Sequence, residues 1–586
     1  MRASRLLAAA AAIAFALPAL AQDTAAPTAT VPQPLPAPTP APAQTAPSRT
    51  PDSVGESETG VVELDSQQQS AEPPPPPIEY PQHARRDPRL VGRLDPSALG
   101  LGSSPFRGAS GAFLASLMRR MDAPLASRWA HIALRNLLLA RVQAPRNVDP
   151  VDWAAERSWL LLRMGESDSA RMLVSGVDVD RFTPRMFQVG VQSALANGDP
   201  AGLCPLLDGI ERVETNIYPL VDAMCAALAG EPESAAAQLE GARRRGRVQG
   251  IDLELAEKVV GASGDTRRAA KIDWEPVDRL DTWRFGLATA TGMTFPDRLM
   301  NDAPAQLRAW QASAPMIAPS DRLASAQIAT GLGVLSSQSL TDLYSMIYEA
   351  TDPDDLAETP AFQLRLAFVG KDLDAKLAAM RRLWNASEEP LNKEASRALL
   401  GRAASLITPS ADLQTDAPNL IASMLAAGFD QDAARWNNAV SQMDDQYADQ
   451  AWAMLALGAP DRSGVDVSAG RINAFIDRDE SKGRKRSALL VAGLAGLGRI
   501  DADTAGRLSS RFGLRLGHRS SWTRLIDRAG SLGQSGTVLV LTGTGFQTPV
   551  FEEIPSAHLY HAIAALKATD QDFTARMVAA EALART

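Results

Sequence analysis

One punctuation mark recurs at a nearly constant interval and limits what this chain can become: a glycine, four residues, then alanine or leucine. It reads Gly165-Glu-Ser-Asp-Ser-Ala170, Gly198-Asp-Pro-Ala-Gly-Leu203, Gly230-Glu-Pro-Glu-Ser-Ala235 and Gly264-Asp-Thr-Arg-Arg-Ala269, with the glycines 33, 32 and 34 residues apart. Between the marks run alanine- and leucine-rich stretches of about 10–16 residues, the length of helices rather than strands. The glycine supplies a left-handed cap that ends one helix. Acidic residues after it suit the positive N-terminus of the next, and the small residue lets two antiparallel helices approach closely. The mark returns at Gly370-Lys-Asp-Leu-Asp-Ala375 and Gly428-Phe-Asp-Gln-Asp-Ala433, 58 residues apart, so helical hairpins continue out of phase.

Period and turn together resemble the tetratricopeptide (TPR) repeat, a helical hairpin of about 34 residues. The second helix of each unit matches the family's buried positions: Ala170, Val174 and Val177 correspond to Leu203, Leu207 and Ile210, then to Ala235, Leu239 and Ala242. The first helix departs from the pattern, its early aromatic being matched only by Phe187. The resemblance covers residues 146–275, about a quarter of the 586-residue chain. It implies an all-α fold, an α-solenoid in which each hairpin leaves an apolar face that only its neighbour covers. It also implies a concave groove lined by first helices, which holds peptides or partner segments. Carried over by phase, the groove positions are Arg185, Gln188, Gln192, Tyr218, Glu254 and Lys258; the plain alternative is a solvated helix face. The same phase puts Cys204 at the start of one second helix and Cys225 near the end of the next first helix. Adjacent antiparallel helices bring those ends together, so a disulfide and a pair of buried free thiols both stay open.

The N-terminus reads as an export signal over 1–21. Arg2 and Arg5 form a positive region, Leu6 to Leu17 an apolar one, and Pro18 precedes the small-residue site Ala19-Leu20-Ala21, which places cleavage before Gln22. No cysteine follows the site, which removes a lipoprotein anchor. The signal has a bacterial look, so the periplasm is the expected compartment and secretion the alternative. From Asp23 to Pro88, 16 of 66 residues are proline, too little apolar surface to offset the entropy of ordering the backbone. A disordered Pro/Ala-rich linker is expected over 22–95. Its Ala/Pro/Thr wording is similar in composition to antifreeze glycopeptides, a likeness that touches none of the folded part. Beyond it the expected order is N-terminal helices over 96–145, TPR-like repeats over 146–275, irregular helical hairpins over 276–470 and a basic C-terminal helical region over 471–586.

Chemistry is sparse. Two cysteines and five histidines leave little material for a metal cluster, and no Gly-x-Ser-x-Gly, His-Glu-x-x-His or phosphate-binding loop occurs. His558 and His561, three apart with Glu552 and Glu553 upstream, are too few ligands for a metal, and the acids read as helix-capping residues. The run Thr537 to Leu541 before Thr542-Gly543-Thr544-Gly545 has the look of a strand entering a glycine loop, but a helix ended by glycines fits better. Scattered tryptophans such as Trp153, Trp310, Trp436 and Trp452 read as packing residues. No cofactor is expected.

Charge gives the remaining signal. The chain carries a net -9, which argues against nucleic acid as a partner, yet residues 471–528 hold 13 Lys or Arg against 6 Asp or Glu. Lys482, Arg484, Lys485 and Arg486 form one knot, and Arg507, Arg511, Arg515 and Arg519 recur every four residues, interrupted by Gly513 and Gly517. Two roles suit these cations: balancing acids such as Asp444, Asp445 and Asp449 within the chain, or meeting an anionic partner. The Arg243, Arg244, Arg245 and Arg247 run suits the negative C-terminal end of a helix. The expected function is an exported, non-enzymatic interaction scaffold whose partners are proteins or anionic envelope polymers. The rival is an envelope enzyme acting on glycan or peptidoglycan, or its accessory subunit.

Overall fold

The computed structural model describes residues 81–586 except 247, 264–271 and 549. The signal, most of the proline-rich stretch, Arg247 and the fourth glycine mark at Gly264 lie outside them. The described residues are all-α: twenty-eight α-helices, short 3-10 turns and no strand.

The first hairpins show how the glycine mark works. Helix Pro150–Arg163 starts where the Asp149 carboxylate accepts from the main-chain N–H groups of Val151 and Asp152, with proline at the position that needs no donor. It ends at Gly165, and helix Ser167–Val174 turns back against it. Gly165, Gly198 and Gly230 have φ of 90°, 58° and 87°, the left-handed region that favours glycine. The small or apolar residue five positions on is fully covered each time, at Ala170, Leu203 and Ala235. Helix Pro184–Ala196 pairs with a broken return arm, a 3-10 turn Pro200–Leu206 followed by helix Leu207–Val213. Pro205 lies inside that arm, and its missing N–H and ring disfavour a continuous α-helix there. Helices Tyr218–Leu228 and Pro232–Arg245 form the next pair. The later marks differ from each other. Gly428 is left-handed at φ 84°, but Gly370 has φ -50° and ends helix Pro360–Val369 by an extended turn.

Helices follow one another through 282–458, most packing on near neighbours in the chain, while Ala417–Ala426 and Asp445–Gly458 also meet Asp572–Ala584. Where they approach most closely a glycine is required. A Cβ on Gly331 would lie 2.2 Å from the carbonyl oxygen of Leu391, so helix Pro319–Leu332 could not sit against Pro390–Ser405 with any other residue there. The apolar run at 537–541 is the middle of helix Ser535–Gly545, buried on nearly every side, as a helix apolar all round must be. Trp153, Trp310, Trp436 and Trp452 are buried.

Packing is not neighbour-only, as it is in an open solenoid: helix Gly111–Arg120 meets Ser535–Gly545, Asp572–Ala584 meets both Ala417–Ala426 and Asp445–Gly458, and one helix gathers partners from three parts of the chain. Helix Arg128–Leu139 packs against Pro150–Arg163 near the start of the chain, Pro319–Leu332 in the middle, and both Ser535–Gly545 and Asp572–Ala584 at the end. Its polar side chains make the joins. Arg128 donates to the carbonyl oxygens of Thr330 (3.0 Å) and Ala426 (2.7 Å), and Arg135 donates to that of Gly333 (3.0 Å). These oxygens belong to the C-terminal ends of two helices, Pro319–Leu332 and Ala417–Ala426, where carbonyls lack intrahelical partners or share them. At the other end of the network, Glu581 accepts from the Ser127 hydroxyl (2.6 Å) and the Arg128 N–H (2.8 Å), capping this helix with a residue 453 positions away.

The expected linker boundary at residue 95 needs correction. Residues 89–95 lie along the C-terminal end of helix Arg128–Leu139: Arg93 and Leu94 donate to the Leu139 carbonyl, and Arg141 donates to that of Leu94 (2.8 Å). Val91 is buried, and Arg157 clamps the strap by donating to the carbonyls of Val91 (2.9 Å), Leu138 and Ala140. Burial pushes the Arg157 guanidinium down to about 10. One apolar side chain and a row of backbone partners therefore bring this end of the expected linker into the fold.

Candidate functional site

The basic region divides into two sets that the structure treats differently. In the knot, Lys485 donates to the Ile554 carbonyl (2.9 Å) and Arg486 to the main-chain oxygen of Thr586 (3.2 Å). Burial pushes the Lys485 ammonium below its ordinary value, with Glu552 opposing. These two are internal ties, while Lys482 and Arg484 are exposed in the turn before helix Lys485–Gly496. Internal balance does hold for two other cations of the region: Arg471 (2.7 Å) and Arg478 (2.6 Å) both meet Asp449.

The arginine stripe is a helix end, a loop and the next helix. Helix Ala502–Phe512 carries Arg507 and Arg511 and ends at left-handed Gly513; Arg515 and Arg519 lie in the following loop; helix Ser521–Ser531 begins with the Ser520 hydroxyl accepting from the Thr523 N–H. Two further exposed arginines, Arg524 and Arg528, extend the stripe along that helix. Arg511 pairs with Asp477 at 3.0 Å. Arg507, Arg515, Arg519, Arg524 and Arg528 are exposed and have no acidic partner among the described residues. Arg507 bonds only the Thr504 hydroxyl (3.0 Å), and Arg524 only the Arg519 carbonyl and the Ser521 hydroxyl. Asp527, the one acid within this stretch, points away and bonds His561 Nδ1 at 2.6 Å. A shallow cavity of about 210 Å³ opens between helices Ala469–Arg478 and Ala502–Phe512, with Ile472 and Leu508 in its lining and Arg507 and Arg511 beside them. The sequence reading named four arginines of this stripe and missed Arg524 and Arg528, although they continue its spacing after one five-residue step.

The groove positions are half-buried rather than open. Arg185 is taken up internally: it donates to the fully buried Glu156 carboxylate (3.1 Å), which Arg119 also meets (2.9 Å), and it stacks over the Trp159 ring. Tyr218 lines a cavity of about 340 Å³ with Pro219, Asp222, Gln238 and Arg245. Burial pushes the Tyr218 phenol and the Asp222 carboxyl up, the former aided by nearby Asp222, Glu211 and Asp208. Gln188 and Gln192 lie on helix Pro184–Ala196, and Glu254 and Lys258 one turn apart on Ile251–Ser263. These six do not converge on one ligand-sized space.

Cys204 and Cys225 are bonded as a disulfide, Cα to Cα 5.5 Å. Cys204 sits in the 3-10 turn Pro200–Leu206, not at the head of an α-helix, because Pro205 follows it. Arg243, Arg244 and Arg245 occupy the last turn of Pro232–Arg245, where Arg243 also meets Glu257. His558 and His561 share helix Ser556–Ala568, but Glu552 and Glu553 stay exposed in the preceding turn and cap nothing, the N-cap being Pro555. His558 lies against Trp522 with ring centres 4.4 Å apart. Among the described residues no three His, Cys, Asp or Glu side chains form a metal-holding group.

Residues that sequence reasoning overlooked make up a buried polar centre. His131 Nε2 lies 3.2 Å from Glu166, which also accepts from Ser169 (3.0 Å) and Arg135 (3.3 Å). Burial pushes the His131 imidazole below its ordinary value, with Glu166 opposing. Burial pushes the Glu581 carboxyl up, with Arg585 opposing at 2.8 Å. Lone charges in alanine-rich runs, as in Arg576-Met-Val-Ala-Ala-Glu581, were the available signal.

Compared with protein-family models, curated proteins and solved structures, the chain matches none of them.

Proposed function

We propose that this chain is an exported, non-enzymatic interaction scaffold of a bacterial envelope, built as an α-solenoid of TPR-like hairpins that closes on its own N-terminal helix. The periplasm is the compartment proposed, with secretion second. The export signal supports this, and so does the Cys204–Cys225 disulfide, a bond that persists in oxidising compartments. The observation that carries the reading is the run of exposed arginines from Arg507 to Arg528 that, Arg511 apart, have no acidic partner among the described residues, on a chain whose net charge is -9. Like charges held side by side repel, and a fold gains nothing by keeping them together unless an anion arrives. The partner engaged there is anionic.

In-cell photocrosslinking tests this. A crosslinker at exposed Ser521 captures an envelope component, while one at Gln188 on the groove side captures little. Capture from Gln188 alone moves the site to the groove. Cleavage of peptidoglycan by the purified chain overturns the non-enzymatic reading.

A further inference from the structure

Helix Ser521–Ser531 buries Thr523, Ile526, Ala529 and Gly530 against helices Ser535–Gly545 and Ser556–Ala568. Its outward sector is unusual. Arg524 and Arg528 stand one turn apart, and beside them Leu525 and Leu532, two turns apart, are 42% and 49% exposed. Arg515, His518 and Arg519 stand exposed in the loop that leads into it. Exposed leucines occur singly on any surface, but two on one sector, flanked by cations without acidic partners among the described residues, match the pattern of a helix lying in a membrane interface. There the apolar side chains enter the headgroup–acyl boundary, and arginine stems lie along it with the guanidinium groups on phosphates.

We infer that the Arg515–Leu532 surface docks on an anionic phospholipid bilayer, peripherally, through Arg519, Arg524 and Arg528 with Leu525 and Leu532 inserted. This rests on the anionic-partner reading above and names the partner. A soluble acidic protein or polymer accounts for the arginines but gives the two leucines nothing to enter. Among the described residues no helix is long and apolar enough to cross a membrane, which makes surface docking the mode of contact. Of the acids nearby, Asp477 is engaged by Arg511, Asp527 by His561 and Asp501 by the N–H and hydroxyl of Thr504. That leaves exposed Asp503, at the far end of helix Ala502–Phe512, against the five arginines without acidic partners among the described residues.

Co-sedimentation of the purified chain with vesicles tests the inference, using phosphatidylcholine alone or mixed with phosphatidylglycerol, and polyglutamate as a soluble polyanion. Binding is expected to the phosphatidylglycerol vesicles only and to weaken as salt shortens the Debye length below about 8 Å. The double variant Arg524→Gln/Arg528→Gln lowers vesicle affinity about tenfold or more. Leu525→Ser/Leu532→Ser lowers it about tenfold as well while leaving polyglutamate binding unchanged. Because both leucines are exposed, that variant keeps its fold, checked by circular dichroism. Full vesicle binding by the leucine variant, or binding to polyglutamate without vesicle binding, overturns the bilayer and leaves a soluble acidic partner. Loss of both vesicle and polyglutamate binding in the wild type overturns the anionic-partner reading too.

Discussion

Two regions of this molecule are rich in charge, and they use it in opposite ways. Around helix Arg128–Leu139 the charges are buried and matched: Arg128 to carbonyls, Glu581 to a hydroxyl, an N–H and Arg585, and Glu166 to His131, Ser169 and Arg135. From Arg507 to Arg528 they are exposed and, Arg511 apart, lack acidic partners among the described residues. A buried charge without partners costs several kcal/mol, so the first region is matched because folding requires it. An exposed charge carries no such requirement, and the second region is free to serve a partner. Location, not charge count, separates the two regions.

The comparison breaks first at Glu581. Glu581→Ala takes the carboxylate from Arg585, leaving it the Ala126 carbonyl, and strands the donors of Ser127 and Arg128; it is expected to cost about 3–5 kcal/mol by chemical denaturation. A loss below 1 kcal/mol, on the order of a surface mutation, means the closure is not held there. Next is the disulfide, which lies in neither region. Cys204→Ser/Cys225→Ser removes a link between residues 21 apart and is expected to cost about 3 kcal/mol in the chain-entropy estimate, leaving anionic binding intact.

A smaller effect sharpens the same contrast through pH. Burial holds the folded His131 below its unfolded value, so the unfolded chain takes up a proton first on acidification. Stability therefore falls as pH drops through about 6.5, where the unfolded imidazole begins to protonate. His131→Gln flattens that part of the profile, measured as melting temperature against pH; an unchanged slope places the titration elsewhere.

How much of this was legible follows the same divide. Helices, the glycine caps at Gly165, Gly198 and Gly230, and the covered Ala170, Leu203 and Ala235 were readable because periodicity and left-handed caps are local properties. Val174 and Leu207, expected to be buried, are only half-buried, and Leu173 and Leu206 take their place. The extended turn at Gly370 shows the limit: the same letters make a different turn when the phase is lost. The closing helix was not readable, because Ser127 and Glu581 meet across 454 residues and no periodicity reports a contact of that range. Within the basic region the sequence showed the cations but not their exposure, so Lys485 and Arg486, which are internal ties, were grouped with Arg519, which is not.

The smallest expected effect on stability is also the most direct test. In the variant Arg519→Gln/Arg524→Gln/Arg528→Gln, retention on an isolated anionic envelope fraction and melting temperature are read from one preparation. The account predicts that retention is lost while stability stays within about 0.5 kcal/mol of the wild type, as for surface substitutions outside the core. Retention unchanged together with a clear fall in melting temperature would contradict it, making these arginines part of the fold.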